Sequence, residues 1–314
     1  MTAAVNTASG LASRLVNRVL AIKPLANLAK HQARQMMIER AEKIGVPWTK
    51  QVQALREAKL SHDGESHDWE ASLAQVQNPQ LAYPDYYLRS FHAYEEGNLN
   101  WEAAFEVEVA AYAVHARIWP NGEAQGDSQL RQSYHDVLKA QLTKEPRDIL
   151  DLGCSVGMST FALQEVYPEA KITGLDLSPY FLAVAHYRSQ QRNAQISWVH
   201  AAAESTGLPT GSFDLVSTFL MCHELPQSAT RQIFHEARRL LRPGGYLAIM
   251  DMNPKSQVFA KMPPYILTLL KSTEPYLDEY FALDIEQALV EAGFKAPTIT
   301  SNSPRHRTAI AHLG

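Results

Sequence analysis

Between residues 146 and 314 the chain alternates short apolar bursts with helical stretches, and that rhythm leaves few folds open. The bursts are DILDLG (148–153), KITGLDLS (171–178), ISWVHA (196–201), FDLVSTFLM (213–221) and YLAIMDM (246–252). Helical patterns fill 158–167, 179–192 and 229–241 between them. Strands alternating with helices form βαβ units, which make a parallel α/β sheet. The last two strand-like segments, 297–302 and 307–313, leave no room for a helix between them. A connection that short joins antiparallel strands, so the sheet is expected to end in a hairpin.

Residues 1–145 read differently, as helices. Leu11, Leu15, Val19 and Ile22 share one helical face. Pro24 is expected to interrupt that helix, with a second helix over about 25–45 and Thr49 capping a third. Residues 61–68 form a polar loop. The stretch 99–118 predicts a long helix, with Asn100 as N-cap and Pro120-Asn121-Gly122 as its stop. The expected division is a helical cap over 1–145 and a sheet domain over 146–314.

At 46% hydrophobic and 20% charged residues the 314-residue chain can bury a sizeable core. Two cysteines exclude a disulfide scaffold and a four-cysteine zinc site, and no metal is expected. They suit a reducing compartment, which predicts a cytoplasmic protein. No uncharged apolar run reaches the roughly 18 residues of a membrane-spanning helix. The net charge of −4 argues against a nucleic-acid binder. Charge is lopsided, however: residues 1–50 hold eight Lys/Arg against Glu39 and Glu42. Arg14, Arg18 and Lys23 beside an apolar stripe fit a helix lying on a membrane surface. A cleavable organelle-targeting segment and a solvated helix packed on a lid are the other readings.

The chemistry gathers in Asp151-Leu152-Gly153-Cys154-Ser155-Val156-Gly157, which closes the first strand and opens a helix. Asp176 ends the second strand, where a carboxylate can accept both hydroxyls of a ribose. Together they imply a nucleoside-containing cofactor at the carboxyl edge of the sheet. A dinucleotide fold wants three glycines where this chain has Gly153, Ser155 and Met158, and Asp151 would repel a pyrophosphate. The same loop matches the hydrolase elbow G-x-S-x-G, with Ser155, Asp251 and His306 in triad order. That elbow needs strands ahead of it, and residues 1–145 read as helical.

The stretch DILDLGCSVGMST resembles the first motif of class I S-adenosylmethionine-dependent methyltransferases, in general character the ubiquinone and menaquinone group. The resemblance continues through Leu175-Asp176-Leu177-Ser178, Ala202-Ala203-Glu204, Leu208-Pro209, Gly211-Ser212-Phe213-Asp214 and Leu241-Arg242-Pro243-Gly244-Gly245. It implies a Rossmann-like, seven-stranded, mostly parallel sheet with a terminal hairpin. It also implies S-adenosylmethionine as cofactor, with Gly153, Cys154, Ser155 and Gly157 shaping the loop. Asp151 would face the methionine amino group, and Asp176 the ribose. Leu177 and Ala203 would flank the adenine, and where Ala202 lacks the usual acid the amino-group contact would come from backbone or from Glu204. Met221 and the residues after the fourth strand would lie over the methyl group.

No N/D-P-P-Y/F signature for DNA bases or amides is present, so a small-molecule acceptor is expected. His223 is the leading base, with Glu224 orienting it or the substrate; a capping role for the pair is the competing reading. Tyr83 through Trp101 reads as an aromatic lid, with His92, Tyr94 and Glu95 facing the site. Met262, Tyr265, Leu269 and Tyr276 are expected to line an apolar acceptor pocket. O-methylation is favoured over C-methylation. A non-catalytic protein using the same fold is the alternative of another class.

Overall fold

The computed structural model describes residues 23–58, 66–92, 94–119 and 123–314. Ahead of the sheet stand helices α1 (Lys23–Lys43), α2 (Trp48–Arg56), α3 (Trp69–Val76), α4 (Trp101–His115) and α5 (Gly126–Gln141). The sheet region runs β1 (Asp148–Leu152), α6 (Met158–Val166), β2 (Lys171–Asp176), α7 (Pro179–Arg192), β3 (Ile196–His200), β4 (Phe213–Phe219), α8 (Gln227–Leu240) and β5 (Leu241–Met252). Then follow α9 (Gln257–Ala260), α10 (Pro264–Thr273), α11 (Leu277–Ala282), α12 (Ile285–Glu291), β6 (Thr298–Ser301) and β7 (His306–His312).

All seven strands join one sheet in the order β3-β2-β1-β4-β5-β7-β6. The first five run parallel, and β7 and β6 close the edge as the expected antiparallel hairpin. Ile149 to Leu152 are fully buried because helices cover both faces of the sheet. Strand order reverses between β1 and β4, which opens a crevice at the carboxyl ends of these strands. A third apolar cluster ties the N-terminal helices to this crevice. Trp48, Val52, Phe105 and Val109 pack with Val156 of the β1 loop and with Phe181 and Val184 of α7.

Several local expectations change. The apolar stripe of Leu11 to Ile22, with Arg14 and Arg18, lies outside the described residues, as do the stop at 120–122 and most of the 61–68 loop. Pro24 is the second described residue of α1, and the helix it was expected to interrupt lies outside the described residues. Thr49 does not cap α2. It lies inside the helix, and its N–H donates to the Glu42 carboxylate at 3.2 Å. The segment before β5 adds Leu241 as a partner of Phe213, so the strand starts five residues earlier than its apolar run.

Asn100 caps α4 as the sequence implies, its Oδ1 accepting from Ala103 N–H at 2.8 Å. Asn100→Ala is expected to cost about 1 kcal/mol and to lower the melting temperature by roughly 2–4 °C. Thermal unfolding followed by circular dichroism measures it, with Asn100→Asp expected to stay near wild type.

Candidate functional site

The crevice holds a cavity of about 570 Å³, within the usual range of small-molecule sites, about 300–1,000 Å³. Its floor is the loop after β1. Gly153 turns there at φ +68°, and a Cβ would lie 2.5 Å from the Met221 sulfur, so the position admits only glycine. Ser155 also takes a left-handed φ of +51°, an uncommon conformation for a residue with a side chain. Its N–H donates to Asp176 Oδ2 at 2.7 Å, which holds the loop against the end of β2. Gly157 at φ +85° starts α6, and its missing Cβ makes room for Trp198 and Phe161.

Gly153, Cys154, Ser155, Asp176, Leu177, Ala203, Glu204 and Met221 all line the cavity. Asp151 and Gly157 do not. The Asp151 side chain turns under the start of α6, where Oδ2 accepts the hydroxyls of Ser159 at 2.6 Å and Thr160 at 2.7 Å. Ser159 is the residue at the wall. Burial raises the Asp151 carboxyl to about 6 against the pull of those two hydroxyls. Burial likewise raises Asp176 to about 6, opposed by the N–H groups of Ser178 and Ser155. Both thiols are buried, and burial pushes Cys154 and Cys222 far above the usual thiol range, so neither is a nucleophile.

The cofactor that the motifs imply carries a sulfonium, an ammonium and a ribose. The residues present fit it. Asp151 Oδ1, Ser155 Oγ and Glu204 Oε2 are buried and have no hydrogen-bond partner among the described residues. Each is a vacant polar atom at or just behind the cavity wall. Two carboxylates raised by burial also favour a cationic guest, which would restore their ionised forms.

Beyond the floor, ionisable side chains meet under the lid. His223 opens the turn after β4 and is buried. Its Nδ1 lies 2.7 Å from Asp251 Oδ1, and its N–H donates to Asp251 Oδ2 at 3.2 Å. Burial alone would lower this imidazole, but Asp251 overrides it and raises the group to about 10. Burial raises Glu224 to about 7, with His92 pulling the other way. His92 reaches in from the lid in a left-handed conformation (φ +50°). Its Nε2 lies 3.2 Å from Glu274 and 3.9 Å from Glu224. The His92 N–H donates to the Thr273 carbonyl at 3.1 Å, so lid and post-β5 insert meet over the site.

His92, His223 and Glu224 therefore come together as the sequence suggested. The triad of Ser155, Asp251 and His306 does not form, because Asp251 holds His223 and His306 Nδ1 lies 2.7 Å from Ser303 Oγ. The insert presents another face than expected. Met262 lines the cavity, followed by Ile266, Leu270 and Thr273, while Tyr265 and Leu269 point to solvent and Tyr276 is buried outside the lining. Tyr94 lines the cavity and donates to Glu106 at 2.7 Å, beside the Arg34 guanidinium that binds the same carboxylate. Sequence reasoning missed Glu274 at the wall, whereas Tyr86 and Tyr87 reach it from the expected lid segment. The Tyr86 hydroxyl donates to Glu204 Oε1 at 2.5 Å, which roofs the 202–204 loop.

A family model for methyltransferase domains matches residues 149–245. An uncharacterized methyltransferase of Synechocystis is 30% identical over 164 residues, spanning 52% of this chain and 74% of that protein. A demethylmenaquinone methyltransferase of Thermus thermophilus is 30% identical over 113 residues, 36% of this chain and 50% of its own length. A ubiquinone biosynthesis O-methyltransferase of Xanthomonas oryzae is 29% identical over 148 residues, 46% of this chain and 60% of the relative. This chain thus spans half to three-quarters of these three curated relatives. A solved candidate O-methyltransferase of Nostoc punctiforme shares the fold at a TM-score of 0.52 and 15% identity, covering 88% of this chain and 72% of that one. With the sheet order, the loop after β1 and the acid at the end of β2 all in agreement, the chain belongs to the class I S-adenosylmethionine-dependent methyltransferases and takes S-adenosylmethionine as its cofactor.

Proposed function

We propose that the enzyme methylates a hydroxyl of a small, largely apolar phenol-type acceptor, with His223 as the base. The observation that carries this reading is the His223–Asp251 pair set in an otherwise mostly apolar cavity wall. With Nδ1–H donating to Asp251, Nε2 is the ring nitrogen left to accept a proton. Bound S-adenosylmethionine supplies an electrophilic methyl on a sulfonium. Alignment of the acceptor oxygen is the protein's main task, and removal of its proton is the second. Nε2 takes that proton, and the Asp251 carboxylate balances the imidazolium that results. A phenol titrates at about 10, close to the value Asp251 gives His223, so the proton passes between them at little cost. Glu224, His92 and Glu274 surround the same space and can hold a second ring substituent.

On the cofactor side, Asp176 holds the ribose, Leu177 and Ala203 flank the adenine, and Glu204 Oε2 accepts from the adenine amino group. Gly153 lets the loop backbone approach, and Asp151 acts through its charge and through Ser159. Residues 1–145 serve as cap and lid on a cofactor domain of 146–314. Relatives named for demethylmenaquinone and ubiquinone biosynthesis support a quinol-type ring.

Labelled methyl transfer to hydroxylated rings with apolar chains tests the reading, with the expected product an aryl methyl ether. Transfer only to carbon or nitrogen would refute it. The pH profile adds a second check. Because Asp251 raises His223, the base is protonated at neutral pH, and turnover is expected to climb as pH rises well beyond 6.5. Asp251→Asn removes the charge that opposes burial, so the acid limb moves down by about a unit or more, and turnover falls about 10²-fold or more with loss of the oriented tautomer. An unmoved limb would count against His223.

A further inference from the structure

We propose that the insert formed by α9 and α10 is a docking face for an anionic bilayer surface, set at the mouth of the cavity. Among the described residues, Val258, Tyr265, Ile266 and Leu269 make up half of the large apolar side chains that stay exposed, all within twelve positions. Helix α10 is apolar at 264–267 and again at 269–270, yet none of its residues is buried. A concentrated apolar face of this kind marks a contact surface rather than a water-facing one. The cavity is lined from the same insert by Met262, Ile266 and Leu270, with Ile266 belonging to both, so the exposed patch adjoins the cavity wall. A molecule dissolved in a bilayer would reach the cavity without crossing water.

Charge selects the occupant. Residues 254–273 carry Lys255, Lys261 and Lys271 and no acid, in a chain of net charge −4. Lys271 pairs with Asp278 at 2.5 Å, whereas Lys255 and Lys261 lie exposed beside the apolar patch. Apolar side chains ringed by lysines, with a tyrosine at the boundary, suit an interface of anionic headgroups. A second copy of the chain would set lysines against lysines. The N-terminal residues 1–22 hold Arg14 and Arg18 and no acid, so they too carry the wrong sign.

The test is co-sedimentation of the full chain with vesicles of phosphatidylcholine alone and of phosphatidylcholine mixed with phosphatidylglycerol. Binding is read without turnover, so it is independent of the acceptor assignment. The expected result is partition onto the mixed vesicles, weakened by salt. The Tyr265→Asp/Leu269→Asp and Lys255→Glu/Lys261→Glu variants are each expected to reduce it by about tenfold or more. Their affinity for S-adenosylmethionine by calorimetry should match wild type, which shows that they fold. Absent partition, equal partition onto both vesicles, or wild-type partition by the folded variants would overturn the proposal. So would self-association of the wild type that the Leu269 change abolishes.

Discussion

His223→Ala is expected to lower turnover by about 10²- to 10⁴-fold while leaving S-adenosylmethionine affinity near wild type. On the proposed reading the acid at the end of β2 would serve the cofactor, while the imidazole, on the turn after β4, would serve the acceptor. Its removal also spares the local fold. Asp251 keeps the N–H of residue 223 on Oδ2 and the Met252 N–H on Oδ1, so its carboxylate is not stranded. The variant should melt close to wild type, which separates lost chemistry from lost structure. Steady-state methyl transfer beside calorimetric titration decides the matter, and unchanged turnover would refute the base assignment.

Asp176→Ala is expected to cost about 3 kcal/mol or more in cofactor binding, a hundredfold or greater rise in Kd. The ground is two hydroxyl bonds to a charged acceptor at about 1.5–3 kcal/mol each. The same carboxylate accepts from Ser155 and Ser178, so the loop after β1 loses its anchor to β2 as well. Burial holds this carboxyl at about 6. A group raised in this way favours folding in its protonated form, and that contribution fades as pH rises from the unfolded value of about 3.9 toward 6. Cofactor binding runs the opposite way. It needs the ionised carboxylate and should tighten as pH rises through about 6, where burial holds this carboxyl. Calorimetry across that range, in wild type and variant, shows whether this acid is responsible. A variant that binds as wild type would remove Asp176 from the ribose.

The central strands were legible because they are largely buried apolar runs, as in Ile149 to Leu152 ahead of Gly153. The hairpin was legible from the shortness of one connection, and Asn100 from its place before an unbroken helix. The face of α10 was not. Pro264 to Leu267, Leu269 and Leu270 are apolar on every side, so period alone could not choose Ile266 and Leu270 over Tyr265 and Leu269. Glu274 was hidden for another reason. Its partner His92 lies far away in sequence, and nothing local marks a carboxylate that burial and a distant histidine recruit. Asp251 stood out only as a member of a triad that does not form, since register on β5 alone sets it beside His223.

The bridge across the site has a kinetic meaning. The His92 N–H bond to Thr273 and the His92–Glu274 ion pair fasten two segments that, on the proposed function, would part when a ring-sized acceptor passes. One neutral bond at about 1 kcal/mol and one charge-assisted bond at about 1.5 kcal/mol, the low end for a half-exposed histidine, place the parted form about 2.5 kcal/mol higher. That is an open fraction of about one in a hundred. On that reading, exchange of acceptor and product would wait on the rare open form, on the microsecond-to-millisecond scale of loop motions. Burial would lower His92, but Glu274 overrides it and raises the group above the usual imidazole value, so the ion pair persists to higher pH than a free imidazolium would. If His223 is the base, the rise in pH that frees it would also weaken the His92–Glu274 pair above it.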